Sequence, residues 1–350
     1  MIKYFNIHNL VKIRVQSNIP SKMATVLAQL REFEESLVDD KEIDIFIHDY
    51  SEPPNFKNPI VLSNYYYYSN NYLNIPKERF CFNVVDKPFE VYCNNFTIPL
   101  NLIVELVLLN KGYSFIHSAA VKYNGENYLF PAFGGIGKTT IVSALVHSSG
   151  KLFGDDMNII NNREVLSYPS DFTVYPYHLD ILKIKNKKIE YQFKKTESLN
   201  KITNFLERYN FKISKLLILI WNSMKTEYVN VPPKKIFGEN CIMEKGQINE
   251  VYYLYRVENN LSEIIFERIN SNDLAEICAN ILFQEWHHAM RVLYTYGGLS
   301  TFSLNLLFNK IRDMFRQTFM RYECYQIKIP NNLDNLTYQK QLISYLDNKK

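Results

Sequence analysis

One short segment constrains this chain more than any other: residues 128–140, which read YLFPAFGGIGKTT. An apolar stretch runs into a glycine-rich turn that ends in Gly137, Lys138 and Thr139, and the apolar residues that follow repeat at helical spacing. A strand, a glycine turn and a helix in this order can surround a phosphate with backbone N–H groups and the positive end of the helix. The segment therefore predicts a phosphate-binding loop, or P-loop.

The chemistry of a P-loop assigns roles to individual residues. We expect Lys138 to reach the terminal phosphates and the Thr139 hydroxyl to ligate Mg²⁺. Ala132 stands where the pattern G-x-x-x-x-G-K-[ST] has its first glycine, which is a mild departure. The expected ligand is ATP or another nucleoside triphosphate, with Mg²⁺. The predicted nucleotide-binding residues are Gly134, Gly135, Ile136, Gly137, Lys138, Thr139 and Thr140.

The composition argues for a large folded core and against several classes of protein. The chain has 350 residues, 47% of them hydrophobic, which is enough for one large domain or two ordinary ones. Its 40 basic and 36 acidic residues are mixed, so no basic stripe indicates nucleic-acid binding. The five cysteines are scattered, which argues against a disulfide framework or a zinc site. No export signal or membrane span is recognisable, so we expect a cytoplasmic protein.

Hydrophobic patterns divide the chain near residue 95. Residues 1–95 predict a small α+β domain with a helix at 21–37. Residues 96–350 predict a P-loop catalytic domain whose C-terminal part is helical. The predicted strands lie at 10–15, 43–47, 115–123, 181–184, 215–221, 251–257 and 325–329. The other predicted helices lie at 98–109, 273–294 and 301–321, with a short one near the C-terminus.

A run of tyrosines at 65–68, followed by Tyr72, has two interpretations. It is either an aromatic recognition surface or a strand with packing tyrosines, and the β propensity of aromatic residues favours the strand. We assign it no chemistry.

Two adjacent acids follow the helix that the P-loop opens. Asp155 and Asp156 come directly after the apolar stretch KLFG, and a strand beside the P-loop strand would bring both carboxylates to the phosphates. One acid can position Mg²⁺ while the other accepts a proton from an attacking hydroxyl. A solvated turn is the alternative, since aspartate favours turns.

Read together, four segments resemble the HPr kinase/phosphorylase family and its serine kinase relatives. They are IHSAAV at 116–121, NGENYLF at 124–130, GGIGKTT at 134–140 and GKLFGDD at 150–156. In that family a histidine-bearing strand, a short turn, the P-loop strand, the P-loop, its helix and an Asp-Asp pair follow in this order. The resemblance is specific over about residues 115–160 and only architectural elsewhere.

The resemblance implies an α/β fold: a P-loop kinase domain of the phosphoenolpyruvate carboxykinase type behind a small α+β N-terminal domain. Its activity would be transfer of the γ-phosphate to a serine hydroxyl. Carried onto this sequence, Lys138 binds the phosphates, and Thr139 and Asp155 hold Mg²⁺. Asp156 is favoured as the catalytic base. His117 matches the family histidine that can orient a carboxylate, although a hydrogen-bonded core histidine is the alternative.

The chain also departs from the family. The loop has Ala132, Phe133 and Gly134 where the family usually has glycine, a polar residue and serine. Phe133 and Gly134 therefore remove side-chain oxygens, which puts the reverse reaction, phosphorolysis, in doubt. The family's further metal-binding glutamate has no match that can be aligned. Four acids after the pair stay as candidates: Glu164, Asp171, Asp180 and Glu190.

These observations predict an ATP- and Mg²⁺-dependent kinase. The acceptor would be a serine of a peptide or small protein, or a small hydroxyl compound. The alternative is a P-loop nucleotide hydrolase or nucleotide-sensing module without a kinase acceptor. Arg256 lies where relatives often carry an arginine that stabilises the transferring group, although an exposed strand arginine is the alternative. The choice between ATP and GTP and the formation of a homo-oligomer stay open.

Overall fold

The structure is a computed structural model that describes residues 1–36, 39–51, 54–62, 65–208, 225–258, 262–300 and 302–349. The chain divides into two compact units, one built from residues 1–170 with 242–350 and the other from residues 171–241. The first unit contains mixed sheets with helices, which agrees with the α/β class expected from the sequence. The domain boundary near residue 95 stays a prediction.

The first sheet is formed by strands from the N-terminal part of the chain. They are Ile2–Ile7 (β1), Val11–Gln16 (β2), Glu34–Glu35 (β3), Ile45–Asp49 (β4), Ile60–Leu62 (β5), Tyr66–Ser69 (β6), Tyr72–Ile75 (β7), Phe80–Asn83 (β8) and Phe89–Cys93 (β9). Their order is β3-β1-β2-β4-β9-β8-β7-β6-β5. The β2–β4 and β4–β9 pairs are parallel, and the other pairs are antiparallel.

The second sheet carries the predicted site. Its strands are Ser114–Tyr123 (β10), Glu126–Pro131 (β11), Lys151–Gly154 (β12), Met157–Ile160 (β13), Glu164–Leu166 (β14), Lys245–Gln247 (β17), Glu250–Val257 (β18), Ile265–Arg268 (β19) and Glu323–Pro330 (β20), whereas Phe172–Val174 (β15) and Val229–Val231 (β16) belong to the second unit. The order is β17-β14-β13-β10-β11-β18-β20-β19, and β12 also pairs with β10. The neighbours β11, β18 and β20 run parallel to one another.

The described residues also form α-helices. They are Pro20–Leu30 (α1), Val104–Asn110 (α2), Lys138–His147 (α3), His178–Ile181 (α4), Lys187–Arg208 (α5), Pro233–Phe237 (α6), Ser271–Glu285 (α7), His287–Gly297 (α8), Leu304–Phe319 (α9) and Asn335–Asn348 (α10). A π-helical turn, Pro99–Ile103, leads into α2. Helix α3 packs against β10 and α10, and α7 packs against β10 and α9. Nearly every side chain of β10 is buried, as expected for a strand covered on both faces.

Several element boundaries differ from the prediction. The helix predicted at 21–37 ends at Leu30, whose backbone leaves the helical region (φ −117°, ψ 10°) before a 3-10 turn. The single helix predicted at 273–294 is two helices that break at Trp286, a buried side chain. The strand predicted at 181–184 is wrong, because Ile181 ends α4. The strand predicted at 215–221 lies outside the described residues.

The tyrosine run packs rather than forming a free recognition surface. Tyr66 lies on β6, and its hydroxyl accepts a 3.0 Å hydrogen bond from Arg291 Nε of α8. Tyr68 packs edge-on against Tyr296, with ring centroids 6.3 Å apart. Tyr296 is fully buried and donates to the Asn71 carbonyl at 2.9 Å. The interpretation as a strand with packing tyrosines is therefore confirmed.

The second unit contains β15 and β16, which pair antiparallel, and helices α4 to α6. Phe172 and Phe237 contact edge to face with ring centroids 5.6 Å apart. Three of the acids considered as metal ligands, Asp171, Asp180 and Glu190, belong to this unit.

Two expectations from composition can be compared with the structure. All five cysteines are free and buried, which agrees with the absence of a disulfide framework. Among the described residues, no helix combines the length and apolar character that crossing a membrane requires.

Candidate functional site

The glycine loop, residues 132–137, has the local structure that its sequence predicts. Strand β11 ends at Pro131 and helix α3 begins at Lys138. Gly135 (φ +76°) and Gly137 (φ +125°) adopt backbone conformations that favour glycine. The loop therefore joins a strand to a helix N-terminus, the arrangement in which backbone N–H groups can face an anion.

Lys138 is folded back over the loop rather than extended into solvent. Its side chain is 6% exposed, and Nζ donates hydrogen bonds to the carbonyls of Ala132 at 3.0 Å and Phe133 at 3.3 Å. It also bonds to Nε2 of His117 and lies 3.6 Å from Oδ1 of Asp156. One ammonium group thus joins the loop, the histidine strand and the acid pair.

The acid pair interrupts a strand. β12 and β13 both pair antiparallel with β10, so that Gly154 lies opposite Ala120 and Met157 lies opposite His117. Residues 155–156 form a bend between these two strands. The expectation that the acids follow a strand directly beside β11 is wrong, because β10 lies between β12 and β11. The interruption, rather than a strand end, brings the acids to the loop.

Gly154 is required for this interruption. A Cβ atom at this position would lie 2.5 Å from the Met157 carbonyl oxygen and 2.8 Å from Asn158 Oδ1. Asn158 is fully buried and donates from Nδ2 to the Ser118 carbonyl at 2.7 Å, which ties the two strands together beside the acids.

Asp155 contacts the residue predicted to share a metal ion with it. The Thr139 hydroxyl donates to Asp155 Oδ2 at 2.7 Å, while Oδ1 is buried without a hydrogen-bond partner. Burial raises the pKa of Asp155 to about 7, against the opposing effect of the Thr139 hydrogen bond. A buried carboxylate oxygen without a partner, next to a hydroxyl, fits the oxygen ligands that Mg²⁺ prefers.

Asp156 has a different environment from its neighbour. Desolvation works against its ionisation, but nearby positive charge, that of Lys138 at 3.6 Å included, outweighs it and lowers the pKa of Asp156 below its usual range. Its side chain is 59% exposed, so solvent screening weakens these interactions. Two neighbouring carboxyls therefore differ: Asp155 favours its protonated form more strongly, and Asp156 is an ionised group that an incoming molecule can reach.

Glu285 is a site residue that the sequence did not reveal. Helix α7 ends at Glu285, and Oε1 lies 3.3 Å from Nδ1 of His117. The His117 ring is 3% exposed, so it is held between Glu285 on one side and Lys138 and Asp156 on the other. No pattern in the sequence marks Glu285, which lies within the residues predicted to form one continuous helix.

The back of the glycine loop is supported by residues far along the chain. Arg256 Nε donates to the Ile136 carbonyl at 3.2 Å, and Gln339 Nε2 donates to the Thr140 carbonyl at 3.1 Å. Tyr338, which is fully buried, packs against Gly137. Arg256 thus holds the loop backbone, and its expected role beside the transferring group stays a prediction.

The structure brings together His117, Lys138, Thr139, Asp155 and Asp156 of the predicted residues. The loop residues Gly134, Gly135, Ile136, Gly137 and Thr140 lie on the loop or the first turn of α3, and their binding of a nucleotide stays a prediction. Glu164 accepts a 3.2 Å hydrogen bond from the Tyr113 hydroxyl instead of facing the pair. Within the described ranges, no group of three or more His, Cys, Asp or Glu side chains is placed to hold a metal ion.

Comparison with known proteins adds little. No family model matches the chain, and no curated protein matches it. Among solved structures, the chain is similar to the Hpr(Ser) kinase/phosphatase from Coxiella burnetii, with 10% sequence identity over 68% of this chain and 99% of that chain. The TM-score is 0.28, so any structural relationship is distant.

Proposed function

We propose that this chain is a kinase that transfers the γ-phosphate of ATP, with Mg²⁺, to a hydroxyl group. The fold proposed for the site is that of the HPr kinase-like P-loop domain. The observation that carries the proposal is the arrangement around Lys138. Its ammonium group contacts the glycine loop, His117 and Asp156, and the adjacent Thr139 is hydrogen-bonded to Asp155.

The glycine loop and Lys138 would bind the phosphates. The ammonium group of Lys138 already lies at the loop. It can exchange its hydrogen bonds to the Ala132 and Phe133 carbonyls for hydrogen bonds to phosphate oxygens. Arg256 and Gln339 hold the loop backbone from behind, which keeps its shape while ligands exchange at the front. The donors that would face the phosphates are the glycine loop and Lys138. Preorganised hydrogen-bond donors stabilise negative charge that develops during phosphoryl transfer.

Thr139 and Asp155 fit Mg²⁺. They offer a hydroxyl and a carboxylate with one free buried oxygen, and Mg²⁺ usually takes one or two protein carboxylates and completes its shell with phosphates and water. When bound, the ion would neutralise charge on the β- and γ-phosphates. Metal ligands bind in their deprotonated form, so the Asp155 carboxyl must lose its proton when the ion binds. Burial raises the pKa of this carboxyl to about 7.

Asp156 is the proposed general base. It is ionised and exposed, so an acceptor hydroxyl can approach within hydrogen-bond distance. The hydroxyl proton passes to Asp156 while the hydroxyl oxygen bonds to the γ-phosphorus and the bond from that phosphorus to ADP breaks. Lys138 lies 3.6 Å from the same carboxylate and keeps it directed towards the loop.

A serine of a peptide or small protein is the proposed acceptor. We rank it above a small hydroxyl compound because the N-terminal sheet and the C-terminal helices are more extensive than a site for a small compound requires. Phe133, 41% exposed on the glycine loop, presents an apolar surface where the related family carries a polar one. We do not extend the proposal to phosphorolysis, because Phe133 and Gly134 supply no side-chain oxygens there.

Mass spectrometry after incubation with ATP, Mg²⁺ and candidate acceptors tests the proposal. The acceptors are serine peptides, matched peptides with alanine in place of serine, free serine and small hydroxyl compounds. We expect the serine peptides to gain one phosphoryl group and the alanine peptides to gain none. Consumption of ATP without a phosphorylated acceptor would contradict the kinase proposal and favour the nucleotide hydrolase or nucleotide-sensing alternative.

A further inference from the structure

Both ring nitrogens of His117 face charged groups. Nε2 contacts Nζ of Lys138 and lies 3.2 Å from Oδ1 of Asp156, whereas Nδ1 lies 3.3 Å from Oε1 of Glu285. The first two groups belong to the proposed kinase site. Glu285 is the last residue of α7, which is a different element, and it has no role in the mechanism described above.

The hydrogen bonds of Lys138 determine which nitrogen of His117 carries the proton. An ammonium group has three N–H donors and no acceptor. Its three hydrogen-bond partners are the Ala132 carbonyl, the Phe133 carbonyl and His117 Nε2. Nε2 must therefore accept, which in a neutral imidazole leaves the proton on Nδ1.

The Nδ1 proton then faces Glu285. The atom is buried and has no aligned hydrogen bond, and the Glu285 carboxylate is within reach to accept one after a small side-chain rotation. The Glu285 side chain is 38% exposed, so it also reaches solvent. The backbone of Glu285 is held in place, because α7 packs against β10, the strand that carries His117, and the buried Trp286 follows at the helix break.

We infer that Glu285 is a positioning residue that holds His117 in the Nδ1–H tautomer, with the Nε2 lone pair directed at the Lys138 ammonium group. Only the effect of Glu285 on catalysis rests on the proposed function; the tautomer of His117 does not. A carboxylate on the far nitrogen of a functional histidine fixes both the tautomer and the ring orientation. Without it, an Nε2–H ring would point a donor at the Lys138 ammonium and displace it from the acid pair.

The tautomer is measurable without any activity. Two-bond ¹H–¹⁵N correlation spectra of ¹⁵N-histidine-labelled protein distinguish the two neutral tautomers, and a His117→Gln variant assigns the signal. We expect Nδ1–H in the wild-type protein and an increased Nε2–H population in Glu285→Ala. Glu285→Gln keeps an oxygen acceptor and should retain Nδ1–H. An Nε2–H or fully protonated His117 in the wild-type protein would overturn the inference, whether or not the variants fold.

Kinetics with the acceptor found for the wild-type protein give a second readout. We expect Glu285→Ala to lower kcat by roughly 10- to 100-fold, the usual cost of losing a residue that orients a functional histidine. Glu285→Gln should restore most of this loss. Gln284→Ala, at the exposed neighbouring position, is the matched control and should behave as the wild type. Equal kcat values for Glu285→Ala and Gln284→Ala would overturn the inference.

The two proposals fail in different ways. If the wild-type protein phosphorylates no acceptor, the kinase proposal fails, and the tautomer measurement still decides the role of Glu285. If the wild-type protein is a kinase and the tautomer is unchanged in Glu285→Ala, the role of Glu285 fails alone.

Discussion

The hydroxyl of Thr139 donates a 2.7 Å hydrogen bond to Oδ2 of Asp155, although 16 residues separate them in the chain. The first is at the start of α3, and the second is in the interruption between β12 and β13. Because both pieces of chain are anchored on β10, their meeting is a property of the fold. The proposed metal position and the proposed phosphate position therefore adjoin.

Replacing Lys138 with alanine should abolish nucleotide turnover. The change removes the ammonium group that contacts the loop carbonyls, His117 and Asp156, and we expect turnover to fall by at least about 10²-fold. The measurement is the rate of ATP consumption, with a thermal melt to confirm folding. Lys151→Ala, which removes an exposed lysine at the start of β12, is the control. Equal turnover in the two variants would refute the role of Lys138.

Asp156→Asn should separate binding from transfer. Asparagine has almost the same shape but cannot act as the base, so we expect phosphoryl transfer to fall by roughly 10²- to 10⁴-fold with nucleotide affinity little changed. Titration calorimetry with ATP and a transfer assay measure the two quantities. Asp273→Asn, at an exposed position in the first turn of α7, is the control. Unchanged transfer in Asp156→Asn would show that another group is the base.

Gly137→Ala should destabilise the loop. The backbone there has φ +125°, and a Cβ atom would lie 3.2 Å from Cε1 of the buried Tyr338. We expect a loss of about 1–3 kcal/mol in the free energy of unfolding, measured by urea denaturation. Gly134→Ala is the matched control, because a Cβ atom there meets nothing within 4 Å. A loss of equal size at both positions would mean that the Tyr338 contact does not constrain Gly137.

Glu105 should make stability depend on pH. It is fully buried on α2, and burial raises its pKa from 4.5 to about 8 in spite of hydrogen bonds from the Phe115 N–H and the Ser114 hydroxyl. Because the folded pKa is the higher one, stability is fully present below the unfolded pKa and is lost as the pH rises through about 8. Between the unfolded pKa and about pH 8, the free energy of unfolding falls by roughly 1.4 kcal/mol per pH unit.

Glu105→Gln is the variant that checks this prediction. The amide can still accept from the Phe115 N–H, and the Ser114 hydroxyl already has a second acceptor at 3.0 Å, the Phe115 carbonyl. The free energy of unfolding, measured between about pH 5 and pH 8, should fall more steeply for the wild type than for the variant, because Asp155, whose pKa is about 7, titrates in both. Parallel curves would show that Glu105 does not titrate in this range.

The sequence predicts those site residues that belong to motifs lying close together in the chain. The glycine loop, His117 and the acid pair lie within a segment of about forty residues, where strand, turn and helix patterns are readable. The break at residues 155–156 could not be predicted, because its cause is the pairing of β12 and β13 with one common strand. Pairing partners are set by tertiary packing, which hydrophobic periodicity does not encode.

Residues that support the site from far along the chain were missed for the same reason. Glu285, Tyr338 and Gln339 lie on helices whose sequences show only amphipathic patterns. The helix break at Trp286 ends α7 at Glu285, but the sequence predicts one continuous helix there because its apolar spacing continues through the break. Such long-range contacts become visible only once α7 and α10 are packed against β10 and α3.

Transfer of label from γ-³²P ATP to a serine hydroxyl, recovered as phosphoserine, tests the kinase proposal most directly. We predict phosphoserine that forms only with Mg²⁺ and that disappears with Asp156→Asn, although this variant still binds ATP. Release of labelled inorganic phosphate at the same rate with and without every acceptor, and no phosphoserine, would contradict the proposal.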